Sequence, residues 1–331
     1  MNTGIDKLIL TTRDYIVKDL DKLGKNRTIK QGKTEEESLP VILVNTGMDH
    51  KQIKANSLFY NVPDFYNVSI NQTGLQVIVN PSKVLHEYEL SDTKKTIEVI
   101  SAVEKNMTDA GILLDFLSSS VSRIDLAKQV ITERSTKAYT PAYNFMRGRK
   151  MKGVQYETGY RWGNKQHENT LYDKSIESNL PFPNLLRNEV KTKTTSTTQK
   201  MTGIHNLRNL FDAGDTYLTE FYNDYLNKKL FSGSFQTQMT IDFDSEVERL
   251  STLKKQGKNA LLKYFAITGI NEIIKKLGDA ELIFQIMKEA GYSRNEVNKQ
   301  RNLLPELLSM SDTKEIDVKV LINELRLMFA A

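Results

Sequence analysis

Four short segments between residues 122 and 191 alternate apolar with charged or hydroxyl side chains at a period of two. That pattern confines the region to a sheet with one covered face and one open face. In Ser122-Arg123-Ile124-Asp125-Leu126-Ala127, Ile124 and Leu126 point one way while Arg123 and Asp125 point the other. In Leu186-Arg187-Asn188-Glu189-Val190-Lys191, Leu186 and Val190 share a side with Asn188, and Arg187, Glu189 and Lys191 share the opposite one. Thr170-Leu171-Tyr172-Asp173-Lys174 puts Tyr172 and Lys174 together, and Tyr156-Glu157-Thr158-Gly159 offers a further carboxylate. The expected open face therefore carries Asp125, Glu157, Glu189, Tyr172 and Lys174.

Up to about residue 205 the chain reads as strands and loops, with Val41-Ile42-Leu43-Val44, Leu75-Gln76-Val77-Ile78-Val79 and Thr96-Ile97-Glu98-Val99-Ile100 as apolar or alternating runs. Residues 93–118 also fit a helix, since Ile100, Val103, Ile112, Leu113 and Phe116 recur at helical spacing. Lys191 to Lys200 is a threonine-rich polar stretch, expected as a strand end or linker. Beyond Ile204 the period changes: Leu261, Leu262, Phe265, Ile270, Ile273, Ile274 and Leu277 recur at three and four, as do Leu282, Ile283, Ile286 and Met287. Ser293-Arg294-Asn295-Glu296 has the form of a capping box, Gly278 and Gly291 punctuate the pattern, and Pro305 is placed to open or kink a last helix. The fold class expected is α+β. A mostly antiparallel sheet with an open active-site face and covering helices spans residues 1–205, and an α-helical C-terminal domain spans 206–331. That tail reads as a packing bundle in preference to a DNA-reading module.

Residues 120–205 hold 15 Lys and Arg against 7 Asp and Glu, a local net of +8 in a chain whose net is +5. Basic character concentrated in this way points to a polyanion site, with a solvated basic face as the plainer reading. Cysteine is absent and only His50, His86, His167 and His205 occur, so disulfides, thiol nucleophiles and zinc ribbons are excluded and any metal must sit on oxygen ligands. No stretch approaches the roughly 18 apolar residues of a spanning helix. The first residues, Met1-Asn2-Thr3-Gly4-Ile5-Asp6-Lys7, lack the layout of a secretory signal, so the expected location is the cytoplasm, without a membrane partner.

The chemistry that this face suits is phosphoryl transfer to tyrosine. Carboxylates of Asp125, Glu157 and Glu189 would hold Mg²⁺ or Mn²⁺, which would polarise the scissile phosphate. Tyr172 would be the nucleophile, and because a phenol has a pKa near 10 it needs help, which Lys174 is placed to give. Arg123 and Arg187 would clamp phosphate or orient the carboxylates. Arg147, Arg149, Lys150 and Lys152 form a basic run suited to tracking a DNA backbone, and Lys191 adds to the same charge. Tyr139, Tyr143, Tyr156, Tyr160 and Trp162 lie close to that run, as stacking platforms for bases or as core. Taken singly, an Arg-x-Asp on a strand is usually a surface ion pair and a strand tyrosine is usually packing.

At these residues the sequence resembles the rolling-circle replication initiators of filamentous phages, the gene II type of nicking endonuclease, and more distantly the initiators of small Gram-positive plasmids. The likeness rests on Ser122-Arg123-Ile124-Asp125, on Tyr156-Glu157-Thr158-Gly159-Tyr160-Arg161-Trp162-Gly163-Asn164 running into Leu171-Tyr172-Asp173-Lys174-Ser175-Ile176-Glu177, and on Leu186-Arg187-Asn188-Glu189. Asn80-Pro81-Ser82-Lys83-Val84-Leu85 extends it upstream, so that it covers roughly residues 1–205. The resemblance implies a nickase that cuts one strand at an origin, keeps the 5′ end as a phosphotyrosine and frees a 3′-OH. It implies Tyr172 as the nucleophile and acidic motif positions at Asp125, Glu157 and Glu189. The His-hydrophobe-His metal motif of the wider nickase superfamily is missing. Expected partners are single-stranded or supercoiled origin DNA, with host helicase, polymerase and a second copy of the chain as further ones. The competing reading is a non-catalytic origin-binding protein on the same fold, in which Asp125 and Glu189 only pair with Arg123 and Arg187. A transferase for plasmid mobilisation or transposition would share the chemistry and differ in its DNA.

Overall fold

The computed structural model describes residues 3–27, 34, 39–60, 62, 65–84, 90–143, 145–146, 151–233, 238–255, 266, 268–269, 284, 286–288, 290–309 and 315–330. In chain order the strands of the first part are β1 (Gly4–Thr12), β2 (Tyr15–Val17), β3 (Leu23–Asn26), β4 (Val41–Asn45), β5 (His50–Lys54), β6 (Ser57–Tyr60), β7 (Tyr66–Asn71) and β8 (Gly74–Val79). They are followed by β9 (Ile112–Leu114), β10 (Ser120–Ile131), β11 (Lys152–Tyr156), β12 (Gly159–Gly163), β13 (His167–Asp173) and β14 (Leu185–Thr192). Among the described residues ten of these form one antiparallel sheet in the order β11-β12-β13-β14-β10-β1-β8-β7-β6-β3. The fold is α+β.

The period-two alternation holds through the middle of that sheet. Ile124 and Leu126 of β10, Leu186 and Val190 of β14 and Leu171 of β13 are buried on one face. Helices cover that face. Thr93–Asp109 buries Thr96, Val99, Ile100, Val103 and Met107 at helical spacing, and the Asp92 carboxylate caps it by accepting from the Lys95 amide at 2.7 Å. Each large apolar side chain buried there contributes about 1.5–3 kcal/mol as an upper estimate. The strand expected at Thr96-Ile100 is thus a helix, because the three-and-four spacing of its apolar residues continues beyond it while the alternation does not.

The polar run after Lys191 also resolves differently from a linker. Thr194 accepts from the Thr197 amide and opens the helix Thr195–Thr202, whose Thr198 hydroxyl donates to the Ser122 carbonyl at 3.0 Å. The inward Thr198 hydroxyl finds backbone and side-chain partners on β10 and β14, so this helix packs there with Thr197, Thr198 and Thr202 as its buried residues. The helix Leu207–Lys229 adds Leu207, Leu210, Leu218, Tyr222 and Leu226 to the core. It breaks at Gly214, whose φ of 69° lies in the left-handed region.

The chain divides into two compact units, Met1–Phe235 with Leu321–Ala331, and Gln236–Val320. The division expected at 205 and 206 falls inside the first of these units, between the helices Thr195–Thr202 and Leu207–Lys229. The helix Leu207–Lys229 belongs to the sheet unit, since Tyr222 donates to the Asn188 side chain of β14 at 2.8 Å. The second unit holds the two short strands β15 (Met239–Ile241) and β16 (Glu315–Asp317) and the helices Phe243–Lys255 and Arg294–Ser309. The capping box forms there: Ser293 donates from its amide and its hydroxyl to the Glu296 carboxylate at 2.8 and 2.7 Å. Pro305 lies within Arg294–Ser309 and does not begin a helix of its own. The apolar positions from Leu261 to Ile274, with Leu277, Gly278, Leu282 and Ile283, lie outside the described residues. Among the described residues no helix is long and apolar enough to cross a membrane.

Candidate active site

Register brings the charged positions of five strands onto one face. Tyr172 of β13 stands opposite Arg187 of β14 and Gly159 of β12, and Thr170 opposite Glu189. Asp125 of β10 stands opposite Lys191 of β14 and Lys7 of β1, and Gln129 opposite Arg187. Because side chains alternate, Tyr172, Arg187, Glu189, Lys191, Asp125 and Gln129 all project to the side away from the covering helices. A cleft of about 770 Å³ opens over Tyr172, Arg187, Glu189 and Lys191, lined among others by Asp6, Lys7, Lys83, Tyr156, Lys174 and Glu177.

The centre of the cleft is a hydrogen-bonded chain. The Tyr172 hydroxyl donates to Glu189 Oε1 at 2.5 Å, and Lys191 Nζ lies 2.7 Å from Glu189 Oε2. Arg187 is 2% exposed and is held from two sides: its Nε and Nη2 donate to Gln129 Oε1 at 3.1 and 2.8 Å, and its Nη1 donates to Asp6 Oδ1 at 3.3 Å. The same Nη1 lies 4.0 Å from Glu189 Oε1. Burial pushes the Tyr172 phenol well above its ordinary range, and the neighbouring Glu189 charge pushes it further. Burial works to raise Glu189 as well, but Lys191, the Tyr172 hydroxyl and Arg187 together hold it below the usual carboxylate range. The resting pair is therefore a protonated phenol donating to an ionised carboxylate.

Lys174 departs from the strand face. β13 ends at Asp173, whose side chain accepts from the Ile176 amide at 2.9 Å and starts the helical turn Lys174–Glu177. Lys174 Nζ then pairs with Glu177 Oε2 at 2.5 Å and lies 6.0 Å from the Tyr172 ring centroid, still lining the same cleft. The Asn80 to Lys83 stretch enters the cleft too, with the Ser82 hydroxyl donating to Asp6 Oδ1 at 3.0 Å.

Of the three carboxylates expected to share a metal ion, Asp125 and Glu189 lie near enough to act on each other electrostatically, while Glu157 stands apart. Asp125 has both oxygens engaged by Arg123, from Nε and Nη2 at 2.7 Å each. Glu157 is exposed on the turn between β11 and β12 and lines a separate hollow with Lys137, Thr140 and Asp173. Glu189 is engaged by Tyr172 and Lys191. Among the described residues no three His, Asp or Glu side chains are grouped to hold a metal ion. The residues present do not fit a three-carboxylate Mg²⁺ or Mn²⁺ centre, and the cations lining the cleft are Lys7, Lys83, Lys174, Arg187 and Lys191.

Of the expected DNA contacts, Lys152 is exposed on β11 opposite Gly163, while Arg147, Arg149 and Lys150 lie outside the described residues. Arg123 is committed to Asp125. Among the aromatic residues near the basic run, Tyr139, Tyr143, Tyr160 and Trp162 are buried, with the tilted rings of Tyr160 and Trp162 4.7 Å apart. Only Tyr156 among the five is exposed and lines the cleft. Its parity explains the difference, since Tyr156 is opposite Gly159 on the cleft face whereas Tyr160 and Trp162 alternate to the other.

Sequence reasoning missed Asp6, Lys7 and Gln129. One trace was available for the first two: buried Ile5, Leu8 and Leu10 break strict alternation by one residue. Gln129 left none, because its neighbours Val130 and Ile131 blur the polar face.

No protein-family model and no curated protein matches the sequence. Among solved structures the chain is similar to the rolling circle replication initiator protein from Geobacillus stearothermophilus, at 12% identity and a TM-score of 0.38, over 74% of this chain and 90% of that one.

Proposed function

We propose that the chain is a DNA strand transferase that nicks one strand by attack of Tyr172, as its sequence resemblance to rolling-circle initiators implies. The observation that carries this reading is the Tyr172 hydroxyl donating to Glu189 inside a cleft lined by five cations. As the phenol oxygen bonds to phosphorus, its proton passes to Glu189 and the bond from phosphorus to the 3′ oxygen breaks. The 3′ oxygen leaves and takes up a proton from solvent while Glu189 gives the phenol proton up to solvent, so the net step converts a phosphodiester and a phenol into a phosphotyrosine and a 3′-OH. Charge that builds on the phosphoryl oxygens meets Arg187 and Lys191, whose side chains are already held in place by Gln129, Asp6 and Glu189. Lys83 and Lys7 bind the flanking backbone, and Lys152 with Arg147, Arg149 and Lys150 extends that contact. In this reading the DNA is single-stranded at the site, since a tyrosine on a sheet floor reaches only a strand that has left its duplex.

A second reading, a DNA-binding module without catalysis, is favoured by the pairing of Asp125 with Arg123 and of Glu189 with Lys191. The two are separated by incubating the protein, with Mg²⁺ or Mn²⁺ present, with single-stranded oligonucleotides tiling the DNA that flanks its own gene. A covalent protein–DNA band that disappears in Tyr172→Phe supports strand transfer. Binding without any such band, in wild type and variant alike, supports the module.

A further inference from the structure

The pairing of β1 with β10 carries a bulge at the cleft. Ile5 stands opposite Leu126 and Lys7 opposite the very next residue, Asp125, so Asp6 is an extra residue without a partner on β10. Strict alternation would turn Asp6 to the helix-covered side with Leu8 and Leu10, both buried there. The bulge re-aims it, and Asp6 and Lys7 both line the cleft. Asp6 Oδ1 then accepts from Arg187 Nη1 at 3.3 Å and from Ser82 at 3.0 Å.

We propose that Asp6 is a positioning residue for strand transfer, and that the β1 bulge exists to deliver its carboxylate to Arg187. This rests on the strand-transfer reading. Gln129 alone takes Nε and Nη2 and leaves Nη1 to choose between two carboxylates. With Asp6 in place, Nη1 is nearer Asp6 than Glu189, at 3.3 against 4.0 Å. Glu189 Oε1 thereby keeps its hydrogen bond to Tyr172 and stays able to accept that proton. Without Asp6, the guanidinium closes on Glu189 Oε1, competes with the Tyr172 hydroxyl for that oxygen and withdraws from the place where phosphoryl charge develops. The residue touches neither the phenol nor the phosphate and acts only through Arg187.

The test is single-turnover formation of the tyrosine-linked adduct, read alongside oligonucleotide affinity on the same protein preparations. Asp6→Asn is expected to slow adduct formation about 10- to 100-fold while affinity stays within about twofold, the pattern of lost orientation. Asp6→Glu restores part of the rate. In an Arg187→Lys background, Asp6→Asn is expected to cost nothing further, because the group it positions has gone. The inference is overturned if Asp6→Asn reacts at the wild-type rate, if rate and affinity fall together, or if the two substitutions multiply independently. Failure of the strand-transfer reading looks different: wild type itself then gives no adduct lost in Tyr172→Phe.

Discussion

Tyr172 and Glu189 occupy diagonal positions on neighbouring strands, and the phenol hydroxyl donates to the carboxylate at 2.5 Å across the β13–β14 pair. The contact sets the protonation states of both. Glu189 is held low by Lys191, Tyr172 and Arg187 against the effect of burial, and Tyr172 is held high by burial and by the Glu189 charge. Such a phenol is inert at rest. It becomes a nucleophile only as its proton moves to Glu189, so everything that keeps Glu189 ionised also keeps Tyr172 ready.

Lys191→Ala should therefore move the acid side of the activity profile. Removing the ammonium that lies 2.7 Å from Glu189 raises the carboxyl, so the base is lost at a higher pH than in wild type. A carboxyl depressed in the fold contributes stability that is present above its unfolded value and lost as pH falls through its folded value. Most of that contribution disappears in the variant, at a cost of about 3–5 kcal/mol at neutral pH, since Glu189 is left buried with one fewer partner. Adduct rate against pH and urea unfolding at neutral pH check both parts. An unmoved acid limb would exclude Glu189 as the proton acceptor.

Arg123→Ala should give the opposite pH trend in stability. Burial raises Asp125 above its ordinary range and Arg123 works against that rise. Without the guanidinium, ionised Asp125 sits at 2% exposure with its main partner gone. An acid raised in the fold favours folding below its unfolded value and loses that advantage as pH rises through its folded value. The variant should lose about 3–5 kcal/mol at neutral pH and recover much of it under mild acid. Urea midpoints measured across that range would show the convergence.

Gly159→Ala tests how closely β12 approaches the nucleophile. A Cβ there would stand 2.2 Å from the Leu171 carbonyl oxygen and 2.6 Å from Tyr172 Cα and Cβ, backbone that cannot move aside without displacing Tyr172. A loss of roughly 2–3 kcal/mol in stability is expected, together with adduct formation far below wild type. An active, stable variant would mean that the β12–β13 spacing is not what places the phenol.

Much of this was legible in the residues themselves. The one-residue alternation of Arg123 and Asp125 against Ile124 and Leu126 identified the open face, because period two has one structural meaning in a paired strand. Lys174 was read one residue too far along β13, since the Asp173 cap that ends the strand depends on a side-chain bond that alternation does not encode. Asp6 left only a break in the apolar spacing of β1, for a related reason. A bulge is defined by what two strands do together, and β1 and β10 are separated by more than a hundred residues. Tyr160 and Trp162 are close to the basic run in sequence yet face away from the cleft, because adjacent residues of a strand face different ways.

Glu157→Gln should leave adduct formation within about twofold of wild type, although its motif suggested a metal ligand. The side chain is exposed and faces the smaller hollow beside Lys137 and Asp173. Removing a charge from such a position usually changes little. A loss of a hundredfold would show that the β11–β12 turn closes over the cleft when DNA binds, and would return Glu157 to the site.

Lys83→Ala separates backbone binding from chemistry. Lys83 is exposed and lines the cleft at the end of the Asn80 to Lys83 stretch, where it has no part in the Tyr172, Glu189 and Arg187 chain. A lysine that meets a phosphate of single-stranded DNA releases one condensed counterion, so its removal should lower the slope of log affinity against log salt by about 0.7. The weakening should be the same for every sequence, because a phosphate contact carries no base information. At saturating oligonucleotide the adduct rate should equal that of wild type. A reduced rate at saturation would place Lys83 beside the reacting phosphate, and an unchanged salt slope would take the strand's path away from this side of the cleft.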